Sequence, residues 1–165
     1  MMRAEPVPAF NLLMLQSTRR GFFGHSYEIS EYGRPAATVI GTRREGCTFE
    51  ADGEHFRVTR EGRKAFTLTG PAGEIAKAER VGGRTWTVSS LYVPLELVRT
   101  SIWKETWELR RFGEPVGSLG KDGAFKNTST ADLPDDLPLP LRLFIVCLVE
   151  TLWERSRQAA AAGGS

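Results

Sequence analysis

The run Leu141-Arg142-Leu143-Phe144-Ile145-Val146-Cys147-Leu148-Val149-Glu150-Thr151-Leu152-Trp153 most restricts what this chain can fold into. Projected onto a helix, Leu141, Phe144, Ile145, Leu148 and Leu152 line one side, and Leu143, Val146, Cys147 and Val149 fill most of the rest. A helix that is apolar all round must be enclosed by protein or by lipid. Crossing a bilayer takes about 20 apolar residues. Arg142 and Glu150 interrupt this shorter run, so burial in protein and no transmembrane span are expected. Pro140 suits the first turn of such a helix, where its missing N–H has no partner to lose. At roughly 1.5 to 3 kcal/mol for each large side chain buried, the segment would supply much of the gross driving force for folding.

What could enclose it is written upstream. Over residues 10–127 short apolar-polar alternations are separated by Gly-containing turns, which is an all-β signature. Cys47, Phe49 and Ala51 alternate with Thr48 and Glu50, and Asp52-Gly53 is hairpin-turn chemistry before Phe56 and Val58 return. Glu61-Gly62, Gly70-Pro71-Ala72-Gly73, Gly82-Gly83 and Phe112-Gly113 punctuate the runs that follow. A long strand over 102–111 is expected to turn Trp103, Trp107 and Leu109 inward, with short strands after it near 116–119 and 124–127. About twelve runs result, at the spacing of a sandwich or barrel. Pro94 marks a strand end or edge. No self-similarity is strong enough for a propeller or solenoid. Residues 128–140, rich in Ser, Thr, Asp and Pro, read as a connecting loop.

A length of 165 residues with 41% hydrophobic and 25% charged residues fits one domain. The expected organisation is a flexible segment 1–9, a single domain 10–157 that includes a helix at about 139–156, and a disordered tail 158–165. A net charge of +2 argues against a dedicated nucleic-acid binder. Cys47 and Cys147 lie far apart within apolar patterns and read as small hydrophobes, not as a disulfide scaffold. The apolar stretch at 12–15 is too short for a signal-peptide core, so an intracellular, cytoplasmic location is expected.

A twelve-run β chain closed by one fully apolar helix resembles the tubby C-terminal-like superfamily, which includes the LURP-one-related proteins and the phospholipid scramblases. The matching residues are the strand-turn series over 10–127 and the terminal segment from Asp136 to Glu154, with its Pro-containing approach, apolar run and acidic-aromatic close. The resemblance implies a closed, roughly twelve-stranded antiparallel β-barrel with the hydrophobic C-terminal helix through its centre. It also implies a module that binds membrane phospholipid, phosphoinositides in particular, or another protein, without enzymatic activity. Departures limit it. The acidic residues Asp132, Asp135 and Asp136 precede the helix where scramblases carry a proposed calcium segment, but the spaced oxygen ligands and Gly of a calcium loop are missing.

Residues that could carry chemistry are sparse. His25 and His55 share no ligand spacing with Cys, so no metal is expected. Gly24-His25-Ser26-Tyr27-Glu28 misses a nucleophile elbow at its last position. No phosphate-cradling loop opens a helix, and neither catalytic residues nor a cofactor are expected. Basic residues gather instead at strand ends, and Arg43, Arg44, Arg60, Arg63, Lys64, Arg110 and Arg111 are the candidate contacts to anionic lipid headgroups or a partner. The same charges would also serve solubility and edge protection. Two other functions fit an all-β chain, a lipocalin-like carrier of a small apolar ligand with the helix outside, and a hydrolase with an unmarked site.

Overall fold

In the computed structural model, which describes residues 12–20, 26–91, 93–100, 105–121 and 128–163, the alternating runs form twelve strands. They are β1 (Leu12–Arg20), β2 (Ser26–Glu31), β3 (Arg34–Gly41), β4 (Cys47–Ala51), β5 (Glu54–Arg60), β6 (Ala65–Gly70), β7 (Gly73–Arg80), β8 (Thr85–Ser90), β9 (Leu95–Arg99), β10 (Thr106–Arg111), β11 (Glu114–Lys121) and β12 (Thr128–Pro134). Each pairs antiparallel with its sequence neighbours, and β1 pairs with β12, so the sheet closes into a barrel. Closure removes every free edge, the hazard that open sheets must otherwise cover.

One helix, α1 (Leu139–Gly163), fills the interior. Every residue from Leu141 to Glu150 is buried, which for a helix means contact on all sides. Inward strand residues complete a single core with it, among them Leu15, Ile29, Val39, Phe49, Phe66, Leu97, Leu109 and Leu133. Trp86, Trp107 and Trp153 belong to that core too. The closed, mainly β barrel around a hydrophobic C-terminal helix is therefore the observed architecture.

Several boundaries differ from the sequence reading. Residues 128–134 are not loop but β12, the strand that closes the barrel. Its Ser129, Ala131 and Leu133 point inward while small polar residues alternate with them, and composition hides that period of two. Asp132 is consequently a strand residue. The helix runs on to Gly163 instead of ending near 156, because Ala159 to Ala162 carry the highest helix propensity. β10 begins at Thr106; Trp103, His25, the expected strand at 124–127 and the segment 1–9 lie outside the described residues. Pro94 does sit immediately before a strand, β9.

Consecutive antiparallel strands place their hairpins alternately at the two ends of the barrel. The β2–β3, β4–β5, β6–β7, β8–β9 and β10–β11 turns share one end with the passage into α1, here the proximal mouth. The β3–β4, β5–β6 and β7–β8 connections share the other, distal mouth with the far end of α1. Two proximal hairpins are variants of one design. Tyr27, Glu28, Ile29, Tyr32, Gly33, Pro35 and Val39 match Trp107, Glu108, Leu109, Phe112, Gly113, Pro115 and Leu119 in step. Both hairpins shift register at the same place, after Ile29 and after Leu109. This local repeat is too short and too diverged to suggest a propeller or solenoid, and it becomes visible when the bulges are aligned.

Candidate functional site

The seven basic residues singled out in the sequence do not form one patch. Arg43, Arg44, Arg60, Arg63 and Lys64 lie at the distal mouth, and Arg110 and Arg111 at the proximal mouth.

The proximal pair is committed to structure. Arg110 donates through Nε and Nη2 to Oε2 of Glu108, at 3.1 and 2.9 Å. Arg111 forks onto Asp136, Nη1 to Oδ2 at 2.8 Å and Nη2 to Oδ1 at 3.2 Å. Glu31, the counterpart of Arg111 in the matching hairpin, accepts from Arg142 at 3.2 Å. The two hairpins, one on either flank of the β1–β12 seam, thus hold the chain on its way into the barrel with the charges interchanged. Arg142 also donates to the Leu137 carbonyl, which explains how a buried guanidinium is tolerated beneath the mouth.

At the distal mouth a single 3-10 turn, Arg43–Glu45, follows β3. Arg44 and Glu45 both have positive φ, 62° and 65°, a left-handed conformation that costs energy in residues with side chains. Its yield is the position of Glu45, whose carboxylate accepts two hydrogen bonds from Arg155 of α1 and one from Arg60 at 2.8 Å. These bonds, Arg155 foremost, hold the Glu45 carboxyl below its ordinary pKa against the opposing effect of burial. Arg155 also donates to the Arg63 carbonyl at 2.8 Å and lies 5.3 Å from the centre of the Phe66 ring. Arg60 and Arg155 are therefore internal fasteners.

Among the described residues, the outward-facing cations at this mouth are Arg44, Arg63 and Lys64, together with Arg80 and Arg84, which the sequence reading missed. The Arg80 N–H bonds to the Lys64 carbonyl at 2.9 Å, which sets the β5–β6 and β7–β8 connections side by side. The sequence signal was present, since Arg80 ends one strand and Arg84 precedes the next, but single arginines attract less notice than doublets. Arg80 also donates to the Gly82 carbonyl at 3.1 Å, stiffening the β7–β8 tip. Between Arg80 and Arg84 stands Val81, 61% exposed. The exposed carboxylates on the same loops are Glu61, paired with Lys77 at 3.4 Å, and Glu79.

A second polar group lies inside the barrel. The Ser129 hydroxyl donates to the carboxylate of Glu150, and the Ser17 hydroxyl stands beside it outside strict hydrogen-bond geometry. Burial pushes the Glu150 carboxyl above its ordinary pKa, and Ser129 offsets this only in part. Tyr27 is raised as well, chiefly by burial and then by Glu150. The Cys147 thiol is pushed up by its hydrogen bond with Cys47 and by burial, so these two residues, distant in sequence, meet between α1 and β4 as thiols. All of these residues are buried in the core.

Other chemistry has little footing. Ser26 opens strand β2 and is not on a strand-to-helix turn. Asp136 is engaged by Arg111, Asp132 lies in β12, and among the described residues no group of three His, Cys, Asp or Glu could hold a metal ion. No helix among the described residues is long and apolar enough to cross a membrane. No protein-family model matches the chain, and no curated protein matches it significantly.

Proposed function

We propose that this barrel is a non-enzymatic binding module, of the tubby-like or LURP-one-related kind, that attaches peripherally to anionic phospholipid headgroups through its distal mouth. The observation that carries this reading is that the exposed cations Arg44, Arg63, Lys64, Arg80 and Arg84 all lie on connections at the distal mouth, with the exposed Val81 between the last two. Each cation near an anionic leaflet contributes about 1 kcal/mol, so five give roughly 5 kcal/mol and a sub-millimolar, salt-sensitive attachment. A small apolar tip among cations can settle at the headgroup boundary without spanning the bilayer. The carrier alternative is disfavoured because α1 occupies the interior a cargo would need.

Co-sedimentation tests this directly. The protein should pellet with phosphoinositide-containing vesicles at low salt, less at high salt, and poorly with neutral phosphatidylcholine. Reversing Arg80 and Arg84 to Glu should weaken pelleting by at least about tenfold. Equal recovery on anionic and neutral vesicles, or none on either, would end the proposal. As a control for a single reversal, Arg110→Glu is unsuited because it breaks the pair with Glu108; Arg34→Glu, at the proximal mouth, should change little, whereas Arg80→Glu alone should already weaken pelleting.

A further inference from the structure

The proximal mouth carries the opposite character. We infer that it is a docking surface for a partner protein, specifically for a cationic segment that also bears large apolar side chains. Three exposed apolar residues stand on its turns: Tyr32 at 60%, Leu91 at 75% and Phe112 at 80%. Around them Asp52, Glu54, Glu74, Glu96, Glu114 and Asp135 are exposed, while Arg34 is the exposed cation at this mouth among the described residues. Arg110, Arg111 and Arg142 are already held by Glu108, Asp136 and Glu31.

The conformation of its turn does not call for an aromatic residue at Phe112. Tyr32-Gly33, Asp52-Gly53 and Phe112-Gly113 are three proximal turns whose first residue is left-handed, with φ of 50°, 54° and 52°. Turns of this shape favour Asn, Asp or Gly at that position, as the Asp52 turn illustrates. Phe112 is strained there and still 80% exposed. Strain and exposed apolar surface at the same residue are the marks of a contact that forms elsewhere.

Phe112 also borders a recess. A groove of about 950 Å³ runs beside the β10–β11 hairpin, lined by Phe112, Pro115, Val116 and Gly117; its walls carry the exposed Glu114 carboxylate, together with Glu108 and Arg111, which are already paired with Arg110 and Asp136. The matching hairpin has a smaller one of about 490 Å³, past Gly33, Pro35, Ala36 and Ala37. Leu91 stands on the neighbouring β8–β9 connection, since β9 pairs with β10. Apolar side chains of a partner would enter the recess and cap Phe112, and its Lys or Arg residues would meet the surrounding carboxylates. That is the usual division between an aromatic anchor and a charged rim. An anionic membrane would be repelled by this mouth. The distal mouth of a second copy has the right charge, but between its exposed arginines it presents the small Val81.

The test uses the full chain and a fluorescein-labelled peptide of alternating Lys and Phe, with Lys-Ser and Glu-Phe peptides of the same length as controls. By fluorescence anisotropy the Lys-Phe peptide should bind at least about tenfold more tightly than either control. The double variant Phe112→Asn, Leu91→Ser should lose at least about fivefold, and because Asn suits the left-handed turn, its folding is not at risk. Arg80→Glu with Arg84→Glu, which tests the lipid-binding mouth, should leave peptide binding unchanged, so the two readings fail separately. Equal binding of Lys-Phe and Lys-Ser, equal binding by the double variant, or no binding would overturn the inference. So would concentration-dependent self-association in sedimentation velocity that the double variant abolishes, since the occupant would then be a second copy.

Discussion

Arg155 grips both carboxylate oxygens of Glu45, Nε to Oε2 at 2.7 Å and Nη2 to Oε1 at 2.9 Å, and so ties the exit of the central helix to a strained turn of the barrel wall. The pairing explains why two adjacent residues tolerate positive φ: the turn is held in that shape from inside the barrel.

Loss of the Glu45 carboxylate should therefore be felt as stability. Glu45→Ala is expected to lower unfolding free energy by about 1 to 3 kcal/mol at neutral pH, the range for charge-assisted hydrogen bonds. The folded-state pKa of Glu45 is depressed, so its contribution is present above the unfolded value of about 4.5 and fades as pH falls through the lower folded value. Urea denaturation of both proteins at neutral and strongly acidic pH checks this. The gap between them should close in acid, and a gap that persists unchanged would assign the loss to packing.

Glu150 should behave in the opposite sense. Its folded-state pKa is raised by burial, so the folded chain holds a proton that the unfolded chain releases. Stability then declines as pH rises from about 4.5 through the raised value, and is level above it. Glu150→Gln keeps an acceptor for Ser129 without the charge. The variant is expected to be at least as stable as the parent at neutral pH and to show a flatter pH profile; a marked destabilisation would mean that the carboxylate is needed ionised.

How far the fold was legible follows from the same residues. The apolar run at 141–153 could be placed nowhere but inside something, and hairpin chemistry such as Asp52-Gly53 announced strands around it. β12 escaped notice because two of its inward residues, Ser129 and Ala131, are small, and Leu133 alone among Thr, Asp and Pro does not show a period of two. The division of basic residues between mouths was beyond sequence reading, since it depends on counting strands correctly to know which turns share an end. Arg43 to Lys64 and Arg110 to Arg111 look alike in the chain and face opposite ways in the barrel. The ion pairs that commit Arg60 to Glu45 and Arg111 to Asp136 likewise join separate elements and exist only once these are assembled, whereas the Arg110–Glu108 pair lies within β10.

Gly117 offers a sharp test of how tightly the wall is built. A Cβ at this position would lie 2.5 Å from the Asp132 carbonyl oxygen, a backbone atom that cannot swing aside. Gly117→Ala should accordingly destabilise the protein by about 1 to 3 kcal/mol, as overpacking does. At Gly120 the nearest atom is the Thr106 hydroxyl oxygen at 4.0 Å, so Gly120→Ala should be tolerated. Thermal unfolding of the two variants distinguishes these outcomes, and equal behaviour would show that β11 and β12 can separate at little cost.

The deepest dependence is on the helix itself. Phe144 is fully enclosed, and Phe144→Ala should cost about 3 to 5 kcal/mol because the surrounding strands, fixed by closure, cannot collapse into the cavity. Removal of everything after Asp136 takes away Leu141, Leu143, Phe144, Ile145, Leu148, Val149, Leu152 and Trp153 together, and leaves inward Leu, Val, Phe and Trp side chains facing an empty lumen. The truncated chain should lose its near-ultraviolet circular dichroism and its cooperative unfolding transition. A truncated chain that kept a cooperative β transition would show that the barrel is self-supporting and that α1 is a removable occupant. The pair of experiments is ordered by severity, since the single substitution measures a cavity and the truncation measures whether a barrel of this sequence exists without its core.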